Sequence, residues 1–313
     1  MRLDRFDLNL LVTLEALLEE RNVTRAAERL HIGQSAASSA LARLREHFND
    51  LLLVPAGREL MPTPLARSLV APVRDTLLSA RATIRRRPSF DPATASLKFT
   101  LRASDYVTTV LLADAVRRIS REAPGITLNL LGLSHDLFDS IERGHTDVLV
   151  MPQTYAERLD HPQTRVFDED HVCIAWRDHP DLGDSLSVEQ YLAMGHVSAR
   201  FNLPGGGAFE DWLFPRYRHR RRVETSVSSF SLLPQLVVGT RRLAVVQRRL
   251  AVLAARTLPL KLYEVPIEVP TLVEMLIWPR HLQDDPAHRW LREALLACAR
   301  DMAADPQPGH QKD

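Results

Sequence analysis

The chain has 313 residues, of which 45% are hydrophobic and 25% charged, and its formal net charge is +1. This composition excludes wholesale disorder, a collagen-like repeat and a disulfide scaffold, and the length suits two or three domains. The sequence has no run of ~18 apolar residues and no apolar segment behind its basic start, so we expect neither a membrane span nor a secretory signal, and hence a cytoplasmic protein.

Helical periodicity dominates the first part of the chain, where leucine and alanine recur at spacings of three and four. Asn22 is a predicted N-cap, and Thr63-Pro64 combines a capping hydroxyl with proline at the first helical position. The predicted elements are a helix over 8–20, a helix over 22–30, a helix over 34–48, a hairpin around the turn at 56–58 and a helix from 63 to about 87.

The last of these helices carries an apolar stripe that nothing nearby in the sequence covers. Its members are Leu65, Leu69, Val73, Leu77, Ala80 and Ile84. A second copy of the chain is the economical way to cover such a stripe. We therefore predict that this helix pairs two chains.

From residue 97 short apolar strands alternate with helices, which predicts an α/β fold with a parallel sheet. The predicted strands are 97–103, 126–131, 147–151, 171–177, 197–200, 222–227, 243–247, 260–265 and 271–278. The predicted helices are 106–121, 135–143 and 285–300. The polar tail 304–313 contains two prolines and is expected to be disordered.

The third predicted helix carries the strongest functional signal. At 100° per residue, Ala37, Leu41 and Leu44 lie on one arc, and serine and alanine occupy the opposite arc. Small side chains allow a helix to approach a DNA groove closely, where serine and glutamine reach phosphates and base edges. Packing against another protein helix is the alternative interpretation.

The charge distribution and the order of the predicted elements favour the DNA-binding interpretation of the third helix. Residues 1–87 contain 14 arginines and 10 acidic residues, whereas the remainder contains 26 basic and 29 acidic residues. Two helices, a tight turn, a third helix and a hairpin are the order of a winged helix-turn-helix.

Residues 7–65 resemble the DNA-binding domain of LysR-type transcriptional regulators. The similarity is carried by NVTRAAERL (22–30), GQSAASSALARL (33–44) and GRELMPTP (57–64). The opening DLNLLV (7–12) and the junction SFDP (89–92) resemble the branch that contains nodulation regulators and regulators of aromatic degradation. Weaker similarity continues through HVCIAWRDHP (171–180) and GHV (195–197).

The resemblance implies a division of the chain and a set of DNA contacts. The implied domains are a winged helix-turn-helix (1–64), a linker helix that dimerises (65–88) and a periplasmic-binding-protein-like effector domain (89–303), with subdomain I at about 93–168 and 269–303 and subdomain II at about 169–268. The implied DNA contacts are Gln34, Ser35, Ser38, Ser39 and Arg43 on the recognition helix, Thr24 and Arg25 on the preceding helix, Arg58 in the wing and Thr63.

The same resemblance implies an effector site between the two subdomains. The matching positions are Ser104, Asp105, Tyr106, His171, Ser198, Phe201 and Phe230. The first three directly follow a predicted strand, where doubly wound sheets bind ligands. The aromatic residues favour a flat ring, and Asp105 would oppose an anion, so we expect a neutral or phenolic aromatic inducer.

The implied function is a ligand-responsive transcriptional regulator, an activator or a repressor, that binds an inverted-repeat site in double-stranded DNA. The expected partners also include RNA polymerase and further copies of the chain, as a homodimer that assembles into a homotetramer. No cofactor, metal or catalytic residue is expected, because the scattered histidines and the distant Cys173 and Cys298 lack ligand spacing and no nucleophile motif occurs. The alternatives are a small-molecule-binding protein or an enzyme that uses the α/β domain.

Overall fold

The structure of the protein, a computed structural model, describes residues 6–56, 59–85, 90–201 and 221–304. The chain divides into two compact units at the junction between Arg87 and Pro88. The predicted tail after residue 304 lies outside the described residues.

The first unit follows the predicted order of elements. Its elements are α1 (Asn9–Glu20), α2 (Val23–Leu30), α3 (Gln34–Phe48), β1 (Leu53–Ala56), β2 (Glu59–Pro62) and α4 (Pro64–Arg85). The strands β1 and β2 pair antiparallel, so the predicted hairpin is confirmed.

Side chains cap the starts of α2 and α4, and the side chain of Asp7 lies beside the start of α1. The Oδ1 atom of Asp7 accepts a hydrogen bond from the Asn9 backbone N–H at 3.0 Å. Asn22 Oδ1 and Thr63 Oγ1 accept from the backbone N–H groups three residues further on, at 3.0 and 3.1 Å. Each cap satisfies an N–H group that has no partner within its own helix, so the predicted caps at Asn22 and Thr63 are confirmed.

The apolar stripe of α4 has two different environments. Val73 and Leu77 are only 5% and 7% exposed, because they pack in the core of the first unit, where α4 contacts α1. Leu65 and Ile84 are 36% and 84% exposed. The expectation that a second chain covers the whole stripe is therefore wrong for Val73 and Leu77, which α1 of the same chain already covers.

The second unit contains the α/β part of the chain. Its elements are β3 (Leu97–Arg102), α5 (Asp105–Val107), a π-helical turn (Thr108–Leu112), α6 (Ala113–Glu122), β4 (Ile126–Leu131), α7 (Leu137–Glu142), β5 (Val148–Pro152), α8 (Gln153–Ala156), β6 (Gln163–Glu169), β7 (His171–Trp176), α9 (Val188–Ala193), β8 (Gly195–Ala199), β9 (Arg222–Val227), α10 (Leu233–Val237), β10 (Arg242–Gln247), α11 (Arg248–Ala255), β11 (Leu260–Glu264), β12 (Leu272–Ile277), a 3-10 turn (Arg280–Leu282) and α12 (Pro286–Ala304).

These strands form two sheets, and each sheet is the centre of one lobe. Lobe I has the strand order β4-β3-β5-β12-β6, and lobe II has the order β11-β7-β10-β8-β9. One buried hydrophobic cluster includes residues of both lobes. The lobes therefore pack against each other within the second unit.

Both sheets are mixed, which corrects the prediction of a parallel sheet. The strands β3, β4 and β5 are parallel, as are β8, β9 and β10, but β12 and β7 run antiparallel to both of their neighbours. Each reversed strand is the first one after the chain crosses between lobes. The end of β10 pairs with the start of β7, so a strand that enters from the other lobe starts where the parallel strands end and must run the opposite way.

The strand β6 is absent from the predicted elements. Most of its side chains are partly or fully exposed, and Phe167 and Glu169 are the buried ones. A strand that buries one aromatic residue and one carboxylate has little apolar content, so hydrophobic patterning does not reveal it.

Candidate functional site

The outward arc of α3 is exposed along its length. Gln34, Ser35, Ser38 and Ser39 are all exposed, whereas Ala37, Leu41 and Leu44 on the opposite face are buried. Arg43 is also exposed, and its guanidinium lies 3.5 Å from the Asp7 carboxylate. The small polar surface that the sequence predicted is therefore present on this helix.

The first turn of α3 also offers backbone donors. Gly33 is the N-cap residue, and no side chain caps the helix there. The N–H groups of a first turn have no partner within the helix, and they carry the positive end of the helix dipole. This end of α3 can therefore bind an anionic group such as a phosphate.

The remaining predicted DNA contacts differ in whether their side chains already form hydrogen bonds within the chain. Thr24 is exposed on α2, and the guanidinium of the exposed Arg25 donates to the Glu20 backbone oxygen at 2.9 Å. The Thr63 hydroxyl is used within the chain, since it caps α4 and donates to Asp50 Oδ1 at 2.7 Å. Arg58 lies outside the described residues.

In the second unit, Ser104, Asp105 and Tyr106 lie between β3 and the helix that follows. Ser104 is buried, and its Oγ atom caps α5 by accepting from the Val107 backbone N–H at 3.1 Å. The capping hydroxyl fixes the start of the short helix that carries Asp105 and Tyr106. This junction is where an α/β sheet presents ligand-binding groups.

The carboxylate of Asp105 joins the two lobes. Oδ2 accepts from Ser229 Oγ and from the Ser231 backbone N–H, each at 2.7 Å, and Oδ1 accepts from the Phe230 backbone N–H at 3.1 Å. Burial acts to raise the pKa of Asp105, but these hydrogen bonds outweigh it and lower the pKa below its ordinary value. The sequence analysis expected Asp105 to face an inducer, and it did not predict these hydrogen bonds to lobe II.

Aromatic rings from both lobes meet beside Asp105. The ring of Phe230 lies 4.8 Å from that of Phe201 and 6.5 Å from that of Tyr106, between centroids. Tyr106 also contacts Phe167 edge-on at 6.4 Å. The predicted residues Asp105, Tyr106, Phe201 and Phe230 are thus brought together between the lobes.

Tyr106 leads to a buried charged cluster that the sequence analysis did not find. Its hydroxyl donates to the carboxylate of Glu169, which also accepts from the Arg249 guanidinium at 2.9 Å. Glu169 is 2% exposed, and burial raises its pKa although Arg249 and Tyr106 oppose the shift. Burial likewise raises the pKa of Tyr106 well above its ordinary value.

Two further buried polar groups lie near this cluster. Glu274 on β12 is 2% exposed, and burial, followed by repulsion from Glu169, raises its pKa to about 8. Gln247 at the end of β10 is 1% exposed. Among the described residues, neither Glu274 Oε2 nor Gln247 Oε1 has a hydrogen-bond partner. A single carboxylate within the apolar strand LVEMLI was a sequence signal for Glu274.

His171 and Ser198 are buried in lobe II. His171 is 5% exposed at the start of β7, and burial lowers its pKa to about 4, so it is neutral near pH 7. Ser198 is fully buried on β8, and its Oγ atom has no hydrogen-bond partner among the described residues. Both are at least as buried as Phe230, which is 5% exposed.

Metal-binding clusters and membrane-spanning helices were both looked for in the part of the chain that the structure describes. There, no three or more His, Cys, Asp or Glu side chains are grouped so as to hold a metal ion. No helix of that part has both the length and the apolar character needed to cross a bilayer.

Comparison with known families identifies both units. Residues 8–67 match the bacterial regulatory helix-turn-helix protein, lysR family, and residues 93–299 match the LysR substrate binding domain. The chain belongs to the LysR family of transcriptional regulators. The resemblance drawn from the sequence motifs is confirmed.

Relatives of this LysR-family chain extend over nearly its full length. Nodulation protein D 2 of Rhizobium tropici is 39% identical over 308 residues, and Nodulation protein D 1 of Bradyrhizobium diazoefficiens is 39% identical over 307 residues. Each alignment covers 98% of both chains. These relatives fall in the nodulation branch that the motifs indicated.

Solved structures give the same fold. A probable transcriptional regulator from Pseudomonas aeruginosa is 31% identical, with a TM-score of 0.62 over 94% of this chain and 97% of that one. Full-length OxyR from the same organism is 19% identical, with a TM-score of 0.64 over 95% of each chain, and shares the fold. The predicted fold class, a helix-turn-helix followed by a two-lobed α/β domain, is confirmed.

Proposed function

We propose that this LysR-family regulator reads an inverted-repeat DNA site with α3 and responds to a small aromatic molecule bound between lobes I and II. The observation that carries the first part is the exposed arc of Gln34, Ser35, Ser38 and Ser39 on a helix whose opposite face is buried. A solvated helix face ordinarily carries long charged side chains. This arc instead suits close approach to a groove wall.

The proposed contacts divide into base readout and backbone positioning. Gln34, Ser35, Ser38 and Ser39 reach base edges or nearby phosphates, with Arg43 at the margin of the arc. Thr24 and Arg25 contact the backbone, as does Arg58 of the wing. Thr63 acts indirectly, because its hydroxyl already holds the start of α4 against Asp50.

The proposed effector site is the aromatic cluster between the lobes. Phe201 and Phe230 offer ring faces, and Tyr106 contributes an edge, which supports a flat aromatic ligand. Ser104, His171 and Ser198 are the polar members of the proposed set. Since Asp105 is ionised and His171 is neutral near pH 7, the site favours an uncharged or phenolic ring over a carboxylate.

The proposal extends to assembly and to action on transcription. The exposed part of the α4 stripe, with Leu65 and Ile84, pairs two chains, and contacts between effector domains join two pairs into a homotetramer. The inducer changes the closure of the lobes and so the spacing of paired DNA-binding units, which activates RNA polymerase at the promoter. The protein acts in the cytoplasm as a regulator and not as an enzyme.

The experiment is fluorescence anisotropy with a DNA site selected from a random-sequence pool, compared with an unrelated duplex over a range of salt concentrations. We expect Gln34→Ala and Ser38→Arg each to weaken specific binding by about 1–3 kcal/mol. Ser185→Arg is the matched control, because it adds the same charge at an exposed serine of the effector domain. Unchanged discrimination between the two duplexes in both α3 variants would remove α3 from the groove.

A further inference from the structure

We propose that Asp105 is an internal carboxylate ligand: it occupies donors on lobe II that suit an anion and thereby holds the lobes together without an inducer. This goes beyond the proposed effector site by assigning a second, anionic subsite beside the aromatic rings. Its consequence for inducer selectivity rests on the proposed function.

The geometry of the contact supports a carboxylate-specific site. Both oxygens of Asp105 are used, and every hydrogen bond they make in the described residues leads from lobe I to the segment Ser229–Ser231 of lobe II. One hydroxyl and two successive backbone N–H groups converge on them at 2.7–3.1 Å. Charge-assisted hydrogen bonds of this length are about twice as strong as neutral ones.

The electrostatic balance agrees with the geometry. Removal from water disfavours an ionised carboxyl group, yet the hydrogen bonds from Ser231, Ser229 and Phe230 lower the pKa of Asp105 below its ordinary value. The donors therefore favour a negative charge at this position more than partial burial disfavours it. The same preference would apply to any carboxylate that entered in place of Asp105.

Neighbouring contacts keep Asp105 aligned with these donors. The Oγ1 atom of Thr109 lies 3.4 Å from Ser231 Oγ, and the ring of Tyr106 packs edge-on against that of Phe230. The helix that carries Asp105 continues through the π-helical turn at Thr108–Leu112. Such turns are rare and frequently occur at functional sites.

A filled anion subsite has a direct consequence for the choice of inducer. A carboxylate inducer that sought these donors would have to displace Asp105 and leave its negative charge nearby. A neutral ring bound to Phe201 and Phe230 carries no such penalty. Asp105 therefore selects against anionic inducers, and its removal creates a site for a free carboxylate.

The test is hydrogen–deuterium exchange of the full chain, read at the Phe230 and Ser231 amides. In wild type, acetate should leave their exchange unchanged relative to chloride at equal ionic strength. In Asp105→Ala, we expect their exchange to rise by about tenfold or more, since each amide loses a charge-assisted hydrogen bond. Acetate, but not chloride, should restore protection saturably in this variant.

Matched variants separate loss of the contact from general loosening. Asp114→Ala removes an exposed carboxylate that pairs with Arg117 on α6, and it should leave both amides protected. Ser229→Ala removes one of the three donors and should raise exchange less than Asp105→Ala does. Should Asp105→Ala fail to fold, Asp105→Ser serves instead, because its short side chain also vacates the position of the carboxylate and favours a helix start.

The outcomes are distinct. Unchanged exchange in both Asp105 variants would overturn the contact, and raised exchange that acetate and chloride affect equally would overturn the anion subsite. Benzoate then tests the neighbouring ring site: rescue by acetate without tighter rescue by benzoate upholds the subsite and counts against the proposed aromatic effector site. DNA binding plays no part in these readouts, so failure of the α3 assignment is detected separately.

Discussion

The two units of the chain place their important polar groups in opposite settings. In the first unit, the candidate DNA contacts lie on an exposed helix face, and the hydrogen bonds that shape the helices are local, such as Asn22 to an N–H group three residues on. In the second unit, Tyr106 and Glu169 lie 63 residues apart in sequence, and Asp105 and Ser231 lie 126 apart. Asp105 meets Ser231 only where the two lobes pack together, and Tyr106 meets Glu169 only where distant segments of lobe I come together.

Because of this difference, the candidate functional residues of the first unit contribute little to stability, whereas those of the second unit contribute to both function and stability. An exposed serine of α3 can be changed with little effect on folding, because surface substitutions rarely change stability by more than ~0.5 kcal/mol. Glu169 and Glu274 are buried in lobe I near Tyr106 of the candidate site, so we expect a change there to alter both the fold and the site. Variants of the two units should therefore fail in different ways.

The largest expected effect is at Glu169. Glu169→Ala leaves the Arg249 guanidinium without its carboxylate partner in a setting where the arginine side chain is 16% exposed. Breaking a buried ion pair in this way costs about 3–5 kcal/mol. All four tryptophans lie beyond residue 88, so urea unfolding followed by tryptophan fluorescence reports on the second unit alone.

The control for Glu169 is an exposed ion pair in the same unit. Asp114→Ala removes the partner of Arg117, where both side chains are more than 60% exposed, and should cost at most ~1 kcal/mol. Equal losses in the two variants would show that the Glu169 cluster is no more important to the fold than a surface pair. The contrast between the units would then lose its main support.

The same contrast explains what could be predicted from the sequence. The bounds of α3 and the caps at Asn22 and Thr63 depend on residues within a few positions, so periodicity and capping rules were sufficient. The direction of β7 and β12 depends on where the chain crosses between lobes, which local patterning does not encode.

The candidate site shows the same limit. Asp105 and Tyr106 were found through their place after β3, yet their partners Ser229 and Glu169 were not, because nothing in the sequence links positions so far apart. The prediction that a second chain covers the whole α4 stripe was wrong for a related reason: α1 is distant from α4 in the sequence but contacts it in the structure. Contacts between residues that are close in the sequence can be predicted from it, whereas contacts between distant residues cannot.

An intermediate effect is expected from pH. The pKa of Glu274 is about 8 in the folded chain against an ordinary value of 4.5, so between these pH values the folded state holds a proton that the unfolded state has lost. Stability of the second unit should therefore fall as pH rises toward 8, by at most about 1.4 kcal/mol per pH unit.

The clearest window for this test is pH 6.5 to 8. Burial lowers the pKa of His171, His196 and His288 to about 4, so below their ordinary value of 6.5 these residues destabilise the fold as pH falls. Urea midpoints from tryptophan fluorescence should decline across the window in wild type and in the exposed control Glu157→Gln. Glu274→Gln should flatten the decline, and an unaltered slope in that variant would mean that Glu274 is ionised in the folded state.

The smallest effect is expected from a local hydrogen bond of the first unit. Asn22→Ala removes the side-chain oxygen that accepts from the Arg25 backbone N–H at the start of α2, which should cost about 1 kcal/mol. Asn22→Asp keeps an acceptor at the same place and should retain most of that stability. Hydrogen exchange of amides in α1 to α3 measures the change, because the first unit contains no tryptophan.

A loss in Asn22→Ala as large as that in Glu169→Ala would contradict the view that short-range contacts of the first unit contribute separately and modestly. A loss confined to α2 would instead show that this helix can weaken while the rest of the DNA-binding unit stays folded.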